Sequence, residues 1–324
     1  MITEIFKDDS NIASMRKKYG KGLHWIIGDT HCEARTLYEL MQKINFDPMN
    51  DRVYFLGDYN GDSDPTELLK YISGHYSPDY GSGGFHLIRG NHERESEPMY
   101  PLENMPDIIV IRGNVMNYYL VHAGMASSAF ELINEDMAEN PDKWYYAYRL
   151  SEKSTEYNAP LRQITWSRFG LYSHNPRLTV WPDEESLRRN KACIIHGHTP
   201  YCFFGKKCHS FYGRKSLFWK KQHIWFSEDL QAFDIDSNIK GRNNKGESYR
   251  GLTCICLESL EDIAKQENGY LKAENIANAE NFVFTADLVC GEPASSGNLD
   301  KLLSAAPEMK TIDIDSDGNP YFIS

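Results

Sequence analysis

The chain has 324 residues, of which 41% are hydrophobic and 25% charged, and its formal net charge is −11. These proportions are those of a globular protein, and the length suits one large α/β catalytic domain with additions. The acidic balance argues against general nucleic-acid binding. Because no run of about 18 apolar residues occurs and residues 1–22 lack an apolar signal core, we expect neither a membrane span nor a secretory peptide.

The N-terminal segment and the cysteines favour a cytoplasmic protein, with export without a cleaved signal as the alternative. Residues 1–22 are polar and mixed in charge, which predicts a leader packed loosely on the domain. The seven cysteines are scattered and odd in number, which is typical of reduced thiols rather than of a disulfide framework. Cys254 and Cys256 lie two apart in an apolar run, so we expect both on one face of a strand.

Polar side chains follow three predicted strands at the point where each strand ends. The strand at 23–27 precedes Asp29 and His31, and residues two apart in an extended segment point the same way, so both can reach one metal ion. The strand at 52–56 precedes Asp58, a carboxylate type that can bridge two ions. A third strand, at 85–88, ends in a Gly turn.

This third turn contains the residues Gly90, Asn91 and His92. Gly90 allows the backbone to turn sharply. Asn91 then offers a neutral oxygen to a metal ion, and His92 offers an acid or a base beside it. Predicted helices lie at 33–44 and 65–71, so strands and helices alternate through this part of the chain.

Two later predicted strands end in histidine. The strand at 117–121 precedes His122, and the strand at 192–195 precedes His196 and His198. A helix is predicted at 127–137 between them. Strand ends at one edge of an α/β sheet are where ligands collect, and Asp, Asn and His suit a pair of divalent ions. Each motif alone is typical of an ordinary loop, but the five together predict a two-metal site that can promote in-line attack on phosphorus.

These strand ends resemble the five blocks of the calcineurin-like metallophosphoesterases. The blocks are Gly28-Asp29-Thr30-His31, Gly57-Asp58, Gly90-Asn91-His92-Glu93, Val121-His122-Ala123-Gly124 and Gly197-His198-Thr199-Pro200. The string from Arg89 to Glu93 is most similar to the phosphoprotein phosphatase branch, including its bacterial and phage members. The resemblance covers residues 23–200, and residues 250–253 resemble a later strand that completes the second sheet. It implies an α/β fold in which two mixed β-sheets pack as a sandwich flanked by helices.

The resemblance also implies a role for each matching residue. The first ion would be held by Asp29, His31 and Asp58. The second ion would be held by Asp58, Asn91, His122 and His198. His92 would be the general acid, with a metal-bridging hydroxide as the nucleophile. Mn²⁺ is the expected metal by similarity to bacterial relatives, and Fe and Zn are compatible with the same ligands. His196 is expected beside the site rather than as a ligand.

The sequence departs from the family pattern after Asp58. Residues 57–63 read Gly-Asp-Tyr-Asn-Gly-Asp-Ser, so the Arg that usually grips phosphate is absent and the Asp that supports the catalytic His is displaced. Asp62 or Asp64 could take the place of that Asp. Arg168 is the first candidate for the phosphate clamp, because it lies in a Trp-centred stretch similar to the family's, and Arg94 is the second.

Two segments lie outside the resemblance. Within an insertion at about 203–223, residues 205–223 are basic and aromatic with no acidic residue, which favours a β-hairpin with solvated lysines. The alternative is a docking site for an acidic or phosphorylated partner, a lipid surface or nucleic acid. Residues 259–324 form a C-terminal extension after a catalytic domain at 23–258. A surface helix is expected at 261–281. The acidic residues at 313–318 resemble the first half of a Ca²⁺-binding loop, but Ser324 falls where such a loop needs Glu, so a polar turn closing a hairpin is expected there instead.

The resemblance implies the function of a metal-dependent phosphoprotein phosphatase acting on phosphoserine, phosphothreonine or, as a further possibility for the altered clamp, phosphotyrosine. A phosphorylated protein is the expected partner. A dinucleoside polyphosphate hydrolase is the alternative enzyme, since related tetraphosphatases also carry His-Ala-Gly at the fourth block. A catalytically weak binding protein that keeps the fold is the alternative from another class.

Overall fold

The structure, a computed structural model, contains two mixed β-sheets with helices on their outer faces. It describes residues 10–20, 22–61, 63–95, 105–151, 181–199, 216–219, 223–237, 239, 251–279, 282–289, 297–304, 306–317 and 319–323. The described strands are β1 (His24–Ile27), β2 (Arg52–Phe55), β3 (Gly84–Leu87), β4 (Ile108–Arg112), β5 (Asn117–Val121), β6 (Tyr145–Leu150), β7 (Ala192–His196), β8 (Ser216–Trp219), β9 (Ile224–Ser227), β10 (Ala232–Asp234), β11 (Gly251–Cys256), β12 (Val283–Asp287), β13 (Lys310–Ile314) and β14 (Pro320–Ile323). The described helices are α1 (Ser10–Tyr19), α2 (Ala34–Lys43), α3 (Thr66–His75), α4 (Asn91–Glu95), α5 (Ser127–Glu139), α6 (Glu184–Arg189), α7 (Leu257–Lys265), α8 (Ala273–Ala277) and α9 (Asp300–Ser304).

The five-stranded sheet has the order β12-β11-β1-β2-β3, and the nine-stranded sheet has the order β14-β13-β6-β4-β5-β7-β10-β9-β8. Strands β1, β2 and β3 are parallel to one another, and β5 is parallel to β7. Parallel neighbours end at the same edge of a sheet, so the turns that follow these five strands are brought together. The predicted α/β sandwich is confirmed.

Side chains that alternate along each strand divide the core into three layers. On β2, Tyr54 faces a cluster between the two sheets, whereas Val53 and Phe55 face a cluster that also contains buried residues of α2 and α3. On β5, Leu120 points between the sheets and Tyr119 packs in a third cluster with residues of α5. Both faces of each central strand are therefore buried, as in α/β enzymes with covered sheets.

The expectation of a loosely packed leader is wrong for residues 10–20. This segment forms α1, which buries Ile12 and Met15 against the five-stranded sheet. The guanidinium of Arg16 donates to both carboxylate oxygens of Asp51, at 3.0 and 2.7 Å. Apolar residues three apart place both buried side chains on one helical face, a signal too short to stand out in a polar sequence.

Residues after 258 belong to both sheets. Strand β12 pairs with β11, and β13 pairs with β6, a Tyr-rich strand that was not predicted. The predicted single surface helix at 261–281 is wrong, because α7 and α8 divide that stretch and α7 buries Leu260 and Ile263. The polar turn after β13 closes a hairpin with β14 as predicted.

Two further expectations concern strands. Strand β11, expected in the second sheet, lies instead beside β1 in the five-stranded sheet, with Cys254 and Cys256 both buried on its outer face. Strand β8 pairs antiparallel with β9, as a hairpin at the end of the basic insertion requires. Residues 203–215 and 220–222 of that insertion lie outside the described residues. No helix in the described part of the chain is long and apolar enough to cross a membrane.

Candidate metal centre

The side chains predicted to bind metal come together where the ends of the two sheets meet. Asp29 and His31 follow β1, Asp58 follows β2, and Asn91 begins α4 directly after the β3 turn. His122 and His198 follow the parallel strands β5 and β7 of the other sheet. Two groups of potential ligand atoms, each within 4.8 Å of one another, share the carboxylate of Asp58.

The first group contains His31, Asp58 and His92. Nδ1 of His31 lies 2.9 Å from the carbonyl oxygen of Asn60, which can only accept a hydrogen bond, so the ring proton belongs on Nδ1. Nε2 of His31 therefore presents a lone pair, and it lies 3.9 Å from Oδ2 of Asp29 and 3.9 Å from Oδ2 of Asp58. Two carboxylates and an imidazole nitrogen thus surround one point with room for a cation between them.

The second group contains Asp58, His122 and His198, all buried. Nδ1 of His122 lies 2.8 Å from the carbonyl oxygen of Leu56, which again leaves Nε2 as an acceptor. This Nε2 lies 2.9 Å from Oδ1 of Asn91 and 3.2 Å from Oδ1 of Asp58, and both of those oxygens are acceptors. Burial lowers the pKa of His122 to about 3, so a second ring proton does not join these atoms at neutral pH.

Both groups therefore bring acceptor atoms face to face, an arrangement that favours a cation over a proton. Imidazole nitrogens, carboxylate oxygens and an amide oxygen form a mixed ligand set suited to Mn²⁺, Fe or Zn²⁺. The residues present fit a pair of divalent ions that share Asp58.

Asp29 links the ends of β1 and β7. Its two carboxylate oxygens accept hydrogen bonds from the backbone N–H of His198, at 3.0 and 3.1 Å. Burial, followed by the nearby carboxylates of Asp236 and Asp58, holds the pKa of Asp29 well above its usual range. A bound cation would offset this concentration of buried negative charge.

The turns at the site adopt backbone conformations that are rare for L-residues. His31, Asp58 and His198 have φ angles of 42°, 53° and 66°. Backbone strain of this kind collects at functional sites, where the surrounding structure imposes it. Gly90 is required by close approach, because a Cβ there would overlap both the backbone nitrogen and Oδ1 of Asp58.

His92 is the most exposed imidazole of the site. Its side chain is 32% accessible, compared with 9% for His31 and 0% for His122. Its Nε2 lies 3.8 Å from Oδ2 of Asp58, and its backbone N–H donates to Oδ1 of Asp58 at 3.1 Å. An imidazole at the mouth of the site can exchange a proton with substrate and solvent.

The residues proposed to support His92 and to clamp phosphate are only partly described. Asp62 and Arg168 lie outside the described residues, as does the side chain of Arg94. Asp64 is described, and its Oδ1 accepts from the backbone N–H and the hydroxyl of Thr66, at 2.9 and 2.6 Å. These hydrogen bonds hold the carboxylate of Asp64 against Thr66, the first residue of α3.

His196 lies beside the site and outside both ligand groups. Its Nδ1 is 3.1 Å from the carbonyl oxygen of Gly197 and 3.5 Å from Oδ2 of Asp234. Burial lowers the pKa of His196 to about 4 and raises that of Asp234 well above its usual range. Asp234, the last residue of the short strand β10, and Asp236, two residues further on, were not predicted near the site. The sequence offered only a short run of alternating apolar and acidic residues there.

Glu93 also received no role from the sequence. Its buried carboxylate accepts four backbone N–H hydrogen bonds, from Asp58, Tyr59, Asn60 and Gly90. Arg89, at the start of the same turn, makes a two-pronged ion pair with buried Asp107, at 2.9 and 2.7 Å. Both charged residues of this string thus serve the architecture of the turn.

Comparison with known proteins identifies the family. Residues 24–202, more than half of the chain, match the family model of the calcineurin-like phosphoesterases. The chain belongs to this family of phosphoesterase hydrolases, whose fold is the observed sandwich. The comparison with curated protein sequences gave no match.

Several solved structures are similar at low identity. A protein serine/threonine phosphatase from Saccharomyces cerevisiae has 16% identity and a TM-score of 0.41, covering 88% of this chain and 85% of that one. A cold-active protein-tyrosine phosphatase from a Shewanella species has 19% identity and a TM-score of 0.39, covering 73% and 76%. A protein assigned as a diadenosine tetraphosphatase has 13% identity and a TM-score of 0.38, covering 84% and 96%.

Proposed function

We propose that the protein is a metal-dependent phosphoprotein phosphatase that hydrolyses phosphomonoesters. The observation that carries the proposal is the pair of ligand groups that share Asp58 at the meeting point of the two sheets. The family supplies the reaction class, and the string from Arg89 to Glu93 supports the phosphoprotein phosphatase branch. The expected partner is therefore a phosphorylated protein.

Six side chains would hold the metals. One ion would be bound by Asp29, His31 and Asp58. The other would be bound by Asp58, Asn91, His122 and His198. When bound, the two ions supply Lewis-acid stabilisation of the phosphoryl oxygens and lower the pKa of the attacking water. We expect Mn²⁺ to support activity.

His92 is proposed as the general acid that protonates the leaving oxygen. Its partial exposure suits a substrate whose leaving group is the side chain of another protein, which cannot enter a closed cavity. Asp62 is proposed to orient His92, and Arg168 to bind the phosphoryl oxygens through its forked guanidinium. Asp58 contributes to orientation as well, since its Oδ1 accepts the backbone N–H of His92.

A dinucleoside polyphosphate hydrolase is the second candidate. The observation that favours it is the fourth block, His122-Ala123-Gly124, which also occurs in bacterial tetraphosphatases. Against it stands the third block, which has the phosphatase form. The two candidate functions use the same proposed metal ligands and the same general acid, so an assay of substrates must distinguish them.

The test is phosphate release from peptides containing phosphoserine, phosphothreonine or phosphotyrosine and from a dinucleoside tetraphosphate. The protein is first stripped of metal and then given Mn²⁺. We expect turnover of peptides that requires Mn²⁺, and a loss of about 100-fold or more in kcat for His92→Asn. Asp58→Asn should also lose activity, whereas Asp262→Asn, a change on the surface of α7, should keep it.

Each outcome has a definite meaning. Turnover of the nucleotide alone would move the assignment to the second candidate. Bound metal without turnover of any substrate would contradict both enzyme proposals and favour a binding protein that retains the fold. A preference among the three peptides would define the class of phosphorylated residue.

A further inference from the structure

Glu93 joins the two turns that carry Asp58 and His92. Its Oε1 accepts the backbone N–H groups of Tyr59 and Asn60, at 2.8 and 3.1 Å. Its Oε2 accepts those of Asp58 and Gly90, both at 2.9 Å. Three of these donors belong to the turn after β2 and one to the turn after β3, and the side chain between them is 3% accessible.

This arrangement uses the full acceptor capacity of a carboxylate. An ionised carboxylate accepts about four hydrogen bonds through its two oxygens and donates none. Four backbone donors are buried at this point, and a buried backbone N–H without an acceptor is costly. Hydrogen bonds from N–H groups to an ionised group are also stronger than neutral ones. Glu93 is thus matched to this place by the number and the direction of its acceptors.

The hydrogen bonds continue from Glu93 to the groups expected to do the chemistry. Asp58 receives one of them at its own backbone and accepts the N–H of His92 through its side chain. Asn60 receives another, and its carbonyl oxygen faces Nδ1 of His31, which fixes the tautomer of that ring. One carboxylate therefore sets the backbone positions on which two proposed ligands and the proposed acid depend.

We propose that Glu93 is a positioning residue that holds the shared carboxylate of Asp58 and the imidazole of His92 at their working separation. The proposal rests on the proposed function for its effect on catalysis, but its effect on metal affinity can be measured without any substrate. Glu93 belongs to neither group of potential ligand atoms. It acts through Asp58, Asn60 and Gly90.

Two substitutions test the roles of acceptor number and reach. Glu93→Gln keeps the shape but replaces one oxygen by an amide NH2, which donates and would face two backbone donors whichever way the amide turns. Glu93→Asp keeps all four acceptor sites and shortens the side chain by about 1.5 Å. If acceptor number matters most, Glu93→Asp will retain more function than Glu93→Gln.

Glu261 provides a matched control. It is also a buried carboxylate, 8% accessible, and it accepts the backbone N–H groups of Val115 and Met116 and the hydroxyl of Tyr118. Its contacts lie at the start of β5, whereas His122 follows the end of that strand. Glu261→Gln should therefore lower stability in the same way as Glu93→Gln without disturbing the candidate metal centre.

The experiment measures Mn²⁺ affinity by calorimetry on the metal-stripped full chain, together with the free energy of unfolding in the presence of chelator. We expect Glu93→Gln to weaken Mn²⁺ binding about 10-fold or more, which is the usual effect of removing a residue that orients metal ligands. Glu93→Asp should weaken Mn²⁺ binding less. Glu261→Gln should leave the Mn²⁺ affinity within about twofold of that of the starting protein. At saturating Mn²⁺, we expect Glu93→Gln to lower kcat on the preferred phosphopeptide and to change KM little, because His92 is displaced.

Unchanged Mn²⁺ affinity in both Glu93 variants would overturn the proposal. So would an equal loss of affinity in Glu261→Gln, since the effect would then follow stability alone. If Glu93→Gln does not fold, Glu93→Asp decides by the same comparison. Loss of Mn²⁺ affinity in a protein that hydrolyses no phosphopeptide would support the positioning role and reject the proposed function, so the two can fail separately.

Discussion

At the scale of single residues, main-chain carbonyl groups decide what the histidines of the site can do. Nδ1 of His31 faces the carbonyl of Asn60, and Nδ1 of His122 faces that of Leu56. Each hydrogen bond fixes the tautomer and directs Nε2 into the site, which is how metal-binding histidines are usually oriented. The residue type supplies a nitrogen ligand, and the backbone around it makes that nitrogen available.

His86 gives a prediction about pH. This histidine lies on β3 away from the metal centre, and burial lowers its pKa to about 4, although hydrogen bonds to the carbonyls of Ser77 and Ser82 oppose the shift. In the unfolded chain its pKa is about 6.5. As the pH falls from 6.5 to 4, the unfolded state takes up a proton that the folded state excludes. The free energy of unfolding therefore falls by up to about 3 kcal/mol.

His86→Gln removes this proton uptake. The free energy of unfolding of the starting protein should therefore fall more steeply than that of the variant as the pH falls from 7 to 4, and the difference between the two should shrink. Urea unfolding of both proteins without metal, at intervals of half a pH unit, measures it. Parallel stability curves for the two proteins would contradict the prediction.

At the scale of elements, α1 is anchored to the start of the five-stranded sheet by an ion pair. Arg16 contacts Asp51, which is fully buried and also accepts the backbone N–H groups of Leu23 and Asp47. Lys18, one half-turn further on, makes an exposed pair with Asp262. The same helix thus carries one pair that solvent screens and one that it hardly reaches.

Replacing these two cations should have unequal effects. Arg16→Met leaves the buried carboxylate of Asp51 without its cation and should lower the free energy of unfolding by about 2 to 4 kcal/mol. Lys18→Met removes a screened pair and should change it by less than about 1 kcal/mol. Chemical denaturation of both variants beside the starting protein makes the comparison. Equal effects would mean that the helix is not held through Asp51.

At the scale of the whole molecule, the candidate metal centre is a junction between the sheets. Asp29, His31, Asp58 and Asn91 come from the turns of the five-stranded sheet, whereas His122 and His198 come from those of the nine-stranded sheet. A ligand that binds only the folded state stabilises it in proportion to the logarithm of its concentration. Metal bound here should therefore stabilise the entire fold.

We expect Mn²⁺ at about 100 times its dissociation constant to stabilise the metal-stripped protein by about 2.7 kcal/mol. Thermal unfolding followed with added Mn²⁺, and again after chelation, measures the shift. His198→Ala should lose most of it because a ligand from the second sheet is missing, whereas Asp262→Asn should keep it. A full shift in His198→Ala would place the metal elsewhere.

The sequence alone determined the central strands, the order of the five polar turns and the residue types of the site. Those features are local, because apolar runs form buried strands and each ligand immediately follows its strand. The same local signals missed β6, whose aromatic and polar residues hide its alternation, and α1, whose buried face comprises few side chains.

Only the tertiary structure decided how these turns are joined. The carbonyl that orients His122 lies 66 residues earlier in the chain, and the donors to Glu93 lie up to 35 residues from it. Contacts at such separations leave no periodicity in the sequence. The residue type Glu also does not reveal whether the carboxylate is buried and hydrogen-bonded to a turn or exposed to solvent. The ligand types could therefore be read from the chain, whereas their tautomers, strain and positioning contacts exist only where the two sheets meet.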